Sequence, residues 1–279
     1  MTALPIDGTT YSLEECPFET VMVDITHQCN MACHNCYIPN RTIPDLDRDW
    51  LAAAFRRLKP KRFVRLVGAE PTVRRDLPTI IRDVKEAGHH PVLMTNGLRL
   101  SDPAYVRDLK QAGVQVVYLS MNGAFDDDLY DQLDGLRCAG RKARAFDNLA
   151  AEHVFTSIGM IVVAECNRHA VAPLLEACRS ARNVREFHLR SVGAIGRFMT
   201  TIPLDLDDML GLFCDATGIS SDAIDRRART ATSHDFLFER LRVQLTMWPD
   251  LGSSTRGRLT PEGNIVPFFE HLIANEGGY

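Results

Sequence analysis

From Thr20 onward, short runs rich in β-branched and apolar residues alternate with longer stretches in which apolar side chains return every three or four positions. The short runs predict six strands: Thr20 to Ile25, Arg62 to Val67, His90 to Met94, Gln115 to Leu119, Thr156 to Val163 and Glu186 to Leu189. The longer stretches predict helices over Trp50 to Leu58, Leu77 to Ala87, Pro103 to Ala112, Ala143 to Glu152 and Ala170 to Ala181. Gly88, Gly113 and Asn183 stand where such helices stop. Alternation of this kind belongs to a parallel sheet covered by helices. Six βα units are fewer than the eight of a closed barrel, so the expected fold is α/β, a partial, open (β/α)6 barrel. Its chemistry should gather at the C-terminal edge of the strands.

After Leu189 the pattern changes. Ser191 to Arg197 reads as a Gly-containing loop and Leu204 to Ala216 as a helix, while Arg226, Arg227 and Arg229 read as a solvated helix face. Arg256 to Phe269 offers two short strands around the turn cluster Pro261, Glu262, Gly263 and Asn264. The expected organisation is an N-terminal segment (1–18), a core (19–197) and a C-terminal extension (198–279) that covers the substrate side of the open sheet.

With 279 residues the chain can bury a full core. Its 32 basic and 36 acidic side chains leave a net charge of −4, which argues against a nucleic-acid partner. No apolar run approaches the roughly 20 residues of a membrane span. Met1 to Thr10 lacks a basic-then-apolar signal. A cytoplasmic protein with no membrane association is therefore expected. Of eight cysteines, three fall within eight positions, and in a reducing compartment such a cluster points to metal or redox chemistry.

Those three, Cys29, Cys33 and Cys36, follow the first strand with C-x3-C-x2-C spacing. Three thiolates on one loop can hold three irons of a cubane and leave the fourth iron open to an outside ligand. The competing reading is a tetrahedral zinc site completed by His27 or His34. The rest of the chain separates the two. Gly68-Ala69-Glu70-Pro71 follows the second strand, Met94-Thr95-Asn96-Gly97 closes the third, and Leu119-Ser120-Met121-Asn122-Gly123 closes the fourth. Together with the cysteine triad, and in this order, these segments resemble the radical S-adenosylmethionine (SAM) superfamily. The resemblance runs from residue 19 to about 197. Within the superfamily, GAEPTVRRDL (68–77) and Val184 to Arg197 look most like the branch with tetraether-lipid coupling and pterin-modifying enzymes.

The resemblance implies a [4Fe-4S] cluster on Cys29, Cys33 and Cys36, with SAM chelating the open iron and cleaved reductively to a 5′-deoxyadenosyl radical. It implies that Gly68, Ala69, Glu70 and Pro71 hold the amino end of SAM, with the Glu70 carboxylate offsetting its ammonium. Thr95, Asn96, Ser120 and Asn122 would lie near the ribose and carboxylate. Asn167, Arg190 and Ser191 point toward the same edge. Ala69 departs from the family's second glycine, and its backbone must stay in an ordinary region. Asn35 replaces an often aromatic position, which makes Tyr37 the candidate for the adenine edge.

The remaining cysteines, Cys16, Cys138, Cys166, Cys178 and Cys214, are isolated. Phe268 stands where related C-terminal extensions place a cluster cysteine, so one cluster is expected. Cys178 reads as a small core residue. Cys166 and Cys214 are the candidate catalytic thiols, as donors of a hydrogen atom. Arg256, Arg258, Glu270 and His271 are candidate substrate contacts, and His234 with Asp235 a candidate acid-base pair.

The function expected from this is hydrogen abstraction from a small-molecule substrate, followed by epimerisation, dehydrogenation, rearrangement or carbon-carbon bond formation in natural-product biosynthesis. An electron donor such as flavodoxin or ferredoxin is implied. Only 18 residues precede the first strand, which favours a small substrate over the alternative, a peptide. The reading from a different class is a non-catalytic iron-sulfur or zinc-binding sensor.

Overall fold

A ten-stranded sheet runs through the molecule. The computed structural model describes residues 4–5, 8–34, 36, 38, 41–191, 203–247 and 253–268. In chain order the strands are β1 (Leu4–Pro5), β2 (Thr20–Thr26), β3 (Phe63–Gly68), β4 (His90–Thr95), β5 (Val116–Ser120), β6 (Phe155–Val162) and β7 (Val184–Ser191). The later ones are β8 (Ser233–Phe238), β9 (Leu241–Thr246), β10 (Ser253–Ser254), β11 (Arg256–Leu259) and β12 (Ile265–Pro267). The pair β1 and β10 stands apart as a small antiparallel sheet.

The six expected strands are β2 to β7, all parallel, so the partial barrel is present with boundaries shifted by one or two residues. The C-terminal segment reaches the barrel by lengthening both edges of the sheet. Strand β11 adds parallel to β2 and β9 adds parallel to β7, with β12 and β8 as antiparallel outer strands. Among the described residues, no helix is long and apolar enough to cross a membrane.

The helices are α1 (Arg48–Arg57), α2 (Leu77–Glu86), α3 (Pro103–Ala112), α4 (Asp127–Asp134), α5 (Ala139–Ala151), α6 (Val171–Ser180) and α7 (Leu206–Thr217). Their ends have local causes. Asp102 caps α3 by accepting from the Ala104 N–H, Pro103 follows with its fixed φ, and Gly113 closes the helix in the left-handed region. Asp205 and Asp208 form a capping box at α7. Helix α4, absent from the sequence expectations, is half acidic and shows the apolar period only at Leu129, Tyr130 and Leu133. Helix α5 starts at Ala139, four residues before the expected start.

Side chains alternate across most of the sheet. Val21, Val23 and Ile25 on β2, Leu66 on β3, Leu119 on β5 and Leu189 on β7 are fully buried against the helices. Their neighbours Met22, Arg65, Val67, Tyr118, Ser120, His188 and Arg190 face the opposite side, into a cavity. Two expectations are corrected in this region. His234 and Asp235 on β8 cannot form an acid-base pair, because His234 is buried beside Phe236 while Asp235 faces the other way, bound by Arg242 and Gln244. The run Arg226, Arg227, Arg229 is not helical. Arg227 pairs with Asp225 and Arg229 with Asp207, and the following β-prone residues enter the β8–β9 hairpin.

Candidate functional site

The loop after β2 carries the cysteine triad, and N–H donors are aimed at two of its sulfurs. Met31 N–H lies 3.4 Å and Asn96 Nδ2 3.9 Å from Cys29 Sγ, and Arg41 Nη2 donates to Cys36 Sγ at 3.0 Å. Donors of this kind suit electron-rich sulfurs that ligate iron. Cys29 and Cys33 also pack on an apolar bed of Met31, Leu98, Tyr130, Cys138 and Ala139. Burial, and then the Asp134 carboxylate and the neighbouring thiols, push the Cys33 thiol upward in the metal-free protein. All eight cysteines are free. Among the described residues no three His, Cys, Asp or Glu side chains close around a single ion. Three thiolates on one loop suit a cubane, in which each takes its own iron. His34, one candidate fourth ligand for zinc, directs Nδ1 to the Gln132 carbonyl at 2.7 Å.

The turn after β3 is locked onto this loop. Gly68 has φ of +124°, and a Cβ there would sit 2.0 Å from the Thr26 carbonyl oxygen, so only glycine fits. Ala69, in the place of a second glycine, keeps an ordinary φ and donates its N–H to the Thr26 carbonyl. Glu70 is 1% exposed. Its Oε1 accepts from Thr72 N (3.0 Å), Thr72 Oγ1 (2.6 Å) and Thr95 Oγ1 (2.6 Å), and its Oε2 from Asn96 N (2.6 Å). It thereby caps a short 3₁₀ turn, Pro71–Val73, that begins with proline. Capping and lining the cavity are both open to this carboxylate, because each oxygen can accept more than one donor.

Asn96 extends the lock by donating from Nδ2 to Asn30 Oδ1 at 2.8 Å, which ties β4 to the cysteine loop. At the end of β5, Asn122 donates to Asp134 and accepts from Ile161 N. Lys142 of α5 is fully buried, donates to the Ser120 carbonyl at 2.8 Å and sits 5.1 Å from the Tyr130 ring centre.

Cys29, Cys33, Cys36, Gly68, Ala69, Glu70, Thr95, Asn96, Ser120, Asn122 and Arg190 therefore all line one cavity of about 200 Å³ at the C-terminal ends of the strands. Pro71 is buried beside it, opening the 3₁₀ turn. Asn167 is not at the cavity. Its side chain is fully buried and spent on backbone, donating to the Asn122 and Ile161 carbonyls and accepting from Val163 N, so it braces the strand ends. Nor do Cys166 and Cys214 line it: both pack against the apolar core. Ser191 is buried at the end of β7. Tyr37, Arg197, Glu270 and His271 lie outside the described residues.

Sequence reasoning passed over Arg41, Arg65, Tyr118, Asp134, Lys142 and His188, all of which line the cavity. For Arg65 a signal existed, an arginine inside the apolar strand Phe63–Gly68. Tyr118 accepts from Arg190 Nη2, and His188 reaches Thr246 Oγ1 with Nε2 at 2.9 Å. Burial, and then Arg190, Arg256, Arg65 and Arg242, drive the His188 pKa well below its ordinary value, so the ring is neutral.

A family model for the radical SAM superfamily matches residues 23–184, from β2 to the start of β7, and takes in the cysteine loop and the segments that follow β3, β4 and β5. The chain belongs to the radical SAM superfamily. It is accordingly an enzyme whose cofactors are a [4Fe-4S] cluster and SAM. Among the relatives of this radical SAM protein, a probable GTP 3′,8-cyclase of Saccharolobus islandicus is 37% identical over 94 residues, 32% of this chain and 30% of that protein. The 7,8-dihydro-6-hydroxymethylpterin dimethyltransferase of Methanocaldococcus jannaschii is 30% identical over 131 residues, 42% of this chain and 26% of that protein. Less than a third of either relative is matched. The fold is shared with Streptococcus suis SuiB bound to SAM, at a TM-score of 0.65 and 17% identity over 93% of this chain and 61% of that one. It is shared also with anSMEcpe with bound AdoMet, at 0.56 and 15% identity over 70% and 58%.

Proposed function

We propose that this radical SAM protein abstracts a hydrogen atom from a small-metabolite substrate held in the barrel, with Cys29, Cys33 and Cys36 as the cluster ligands. The observation that carries the proposal is the cavity itself, whose lining includes the three thiols together with Gly68, Ala69, Glu70, Thr95, Asn96, Ser120 and Asn122. When bound there, the cluster and SAM supply a 5′-deoxyadenosyl radical. The protein's own residues supply position, charge and dryness. Arg41, Asn96 and the Met31 N–H hold and polarise the sulfurs. Gly68 lets the backbone approach closely, and Glu70, held by Thr72, Thr95 and Asn96, presents negative charge for the SAM ammonium. Lys142, buried beside Ser120, supplies positive charge for a carboxylate. Met22, Val67, Met94 and Phe268 form an apolar patch that excludes water.

A small substrate is favoured by the sequence relatives, whose names specify a nucleotide and a pterin. The second reading, a peptide substrate, draws on fold likeness to SuiB, which has been solved with its precursor peptide. The proposed reaction ends in epimerisation, dehydrogenation, rearrangement or carbon-carbon bond formation, in a cytoplasmic setting with flavodoxin or ferredoxin as electron donor.

Anaerobic reconstitution tests the proposal. The wild-type protein should take up about four irons per chain and form 5′-deoxyadenosine from SAM on reduction. Cys33→Ala should lose both. A colourless protein that fills with zinc and cleaves no SAM refutes the proposal in favour of the sensor reading.

A further inference from the structure

The cavity's deeper half is cationic. Arg65 lies three residues, about 10 Å of strand, before Gly68, so it sits well below the loops that hold the cysteines. Arg256 on β11 flanks β2 from the other side, and Arg190 on β7 faces them across the cavity. Among the described residues neither Arg65 nor Arg256 makes an ion pair, and Arg65 Nε is buried without a hydrogen-bond acceptor. Two nearby carboxylates are engaged elsewhere. Asp24 is bound by Arg258, and Asp235 by Arg242 and Gln244. The Glu186 carboxylate acts on both Arg65 and Arg256 without forming an ion pair with either. Burial, and then the neighbouring charges of Arg65 and Arg190, lower the Arg256 pKa to about 9. A guanidinium stays charged in proteins, so the crowding is retained as unfavourable energy. Half-buried charges that line a cavity without an ion-pair partner suit a ligand that supplies the opposite charge.

We infer that Arg65 and Arg256, with Arg190 opposite, bind an anionic group of the substrate, a phosphoryl or a carboxylate, and so anchor the molecule by the end remote from the cysteine loop. The planar forks of arginine match both oxyanions in a bidentate manner. Tyr118 holds one side of this subsite, because Gly159 leaves room for its hydroxyl where a Cβ would meet it at 1.8 Å. Neutral His188 lies against it, 3.4 Å from the Tyr118 hydroxyl, and adds no further charge. The inference rests on the small-metabolite reading above and names the chemistry of that metabolite.

The test titrates pyrophosphate and, separately, malonate into the reconstituted wild-type protein, Arg65→Gln, Arg256→Gln and Arg65→Lys, at ionic strength matched with chloride. Calorimetry gives the affinity and thermal unfolding the stability. Wild type should bind at least one anion saturably, with pyrophosphate alone assigning a phosphoryl and malonate alone a carboxylate. Each glutamine variant should bind at least tenfold more weakly, and Arg65→Lys should keep most of the affinity. Without anion, both glutamine variants should unfold at a higher temperature than wild type, because relief of repulsion stabilises, whereas loss of a merely structural arginine destabilises. Absence of saturable binding by either anion, or unchanged affinity in variants that unfold earlier, overturns the inference. A wild-type protein that binds the anion yet forms no 5′-deoxyadenosine overturns the proposed function and leaves this subsite standing.

Discussion

Glu70→Gln is the substitution whose effect the structure specifies most fully. The buried carboxylate accepts four hydrogen bonds, three on Oε1 and one on Oε2. An amide has one oxygen, so its NH₂ must face a donor whichever way it is turned. Toward Oε1 it opposes the Thr72 N–H, and toward Oε2 the Asn96 N–H, and neither backbone donor can rotate away. The cheaper placement, toward Oε2, loses one charge-assisted bond and strands the Asn96 N–H, a combined cost of about 2–4 kcal/mol. At roughly 2 °C or somewhat more per kcal/mol for a chain of this size, the melting temperature should fall by about 5 °C. Thermal unfolding of the SAM-free protein, followed by far-UV circular dichroism under anaerobic conditions, isolates this effect from ligand binding. A midpoint within roughly 1 °C of wild type would show that the four contacts do not hold the strand ends together as argued.

The remaining expectations are briefer. Gly68→Ala should lose far more stability than Gly88→Ala, since a Cβ at position 68 meets backbone at 2.0 Å while position 88 is open; denaturant midpoints of equal size for the two would contradict the steric argument. His188 and His89 both have pKa values depressed by burial, so the unfolded chain takes up protons first. The stability they contribute is full above the ordinary value of 6.5 and is lost as pH falls below it, by up to about 1.4 kcal/mol per pH unit for each. Urea midpoints at pH 7.5 and 5.5 should differ accordingly, and His188→Asn should reduce the difference; a pH-independent midpoint would refute it. Cys166→Ala and Cys214→Ala should each form 5′-deoxyadenosine within twofold of wild type, because neither thiol reaches the cavity; a loss of tenfold or more would place one of them in the chemistry after all.

What the chain determines by itself is local. Period-two and period-3.6 patterns located the six core strands and six of the seven helices, because each strand of the parallel core buries one face under helices and each such helix carries its own apolar stripe. The cysteine spacing and the strand-end segments were legible for the same reason, since each is a contiguous run. Tertiary structure alone decided the rest. Which of Asn122, Asn167, Cys166 and Cys214 reach the cavity depends on hydrogen bonds and packing between residues far apart in the chain, and Asn167 spends its amide bracing Asn122 and Ile161. The β8–β9 hairpin and β11 become sheet edges only because β7 and β2 present unpaired edges to them. The arginine cluster is the clearest case. Arg65, Arg190 and Arg256 are spread over nearly 200 positions, and only the curvature of the sheet brings their charges into one field.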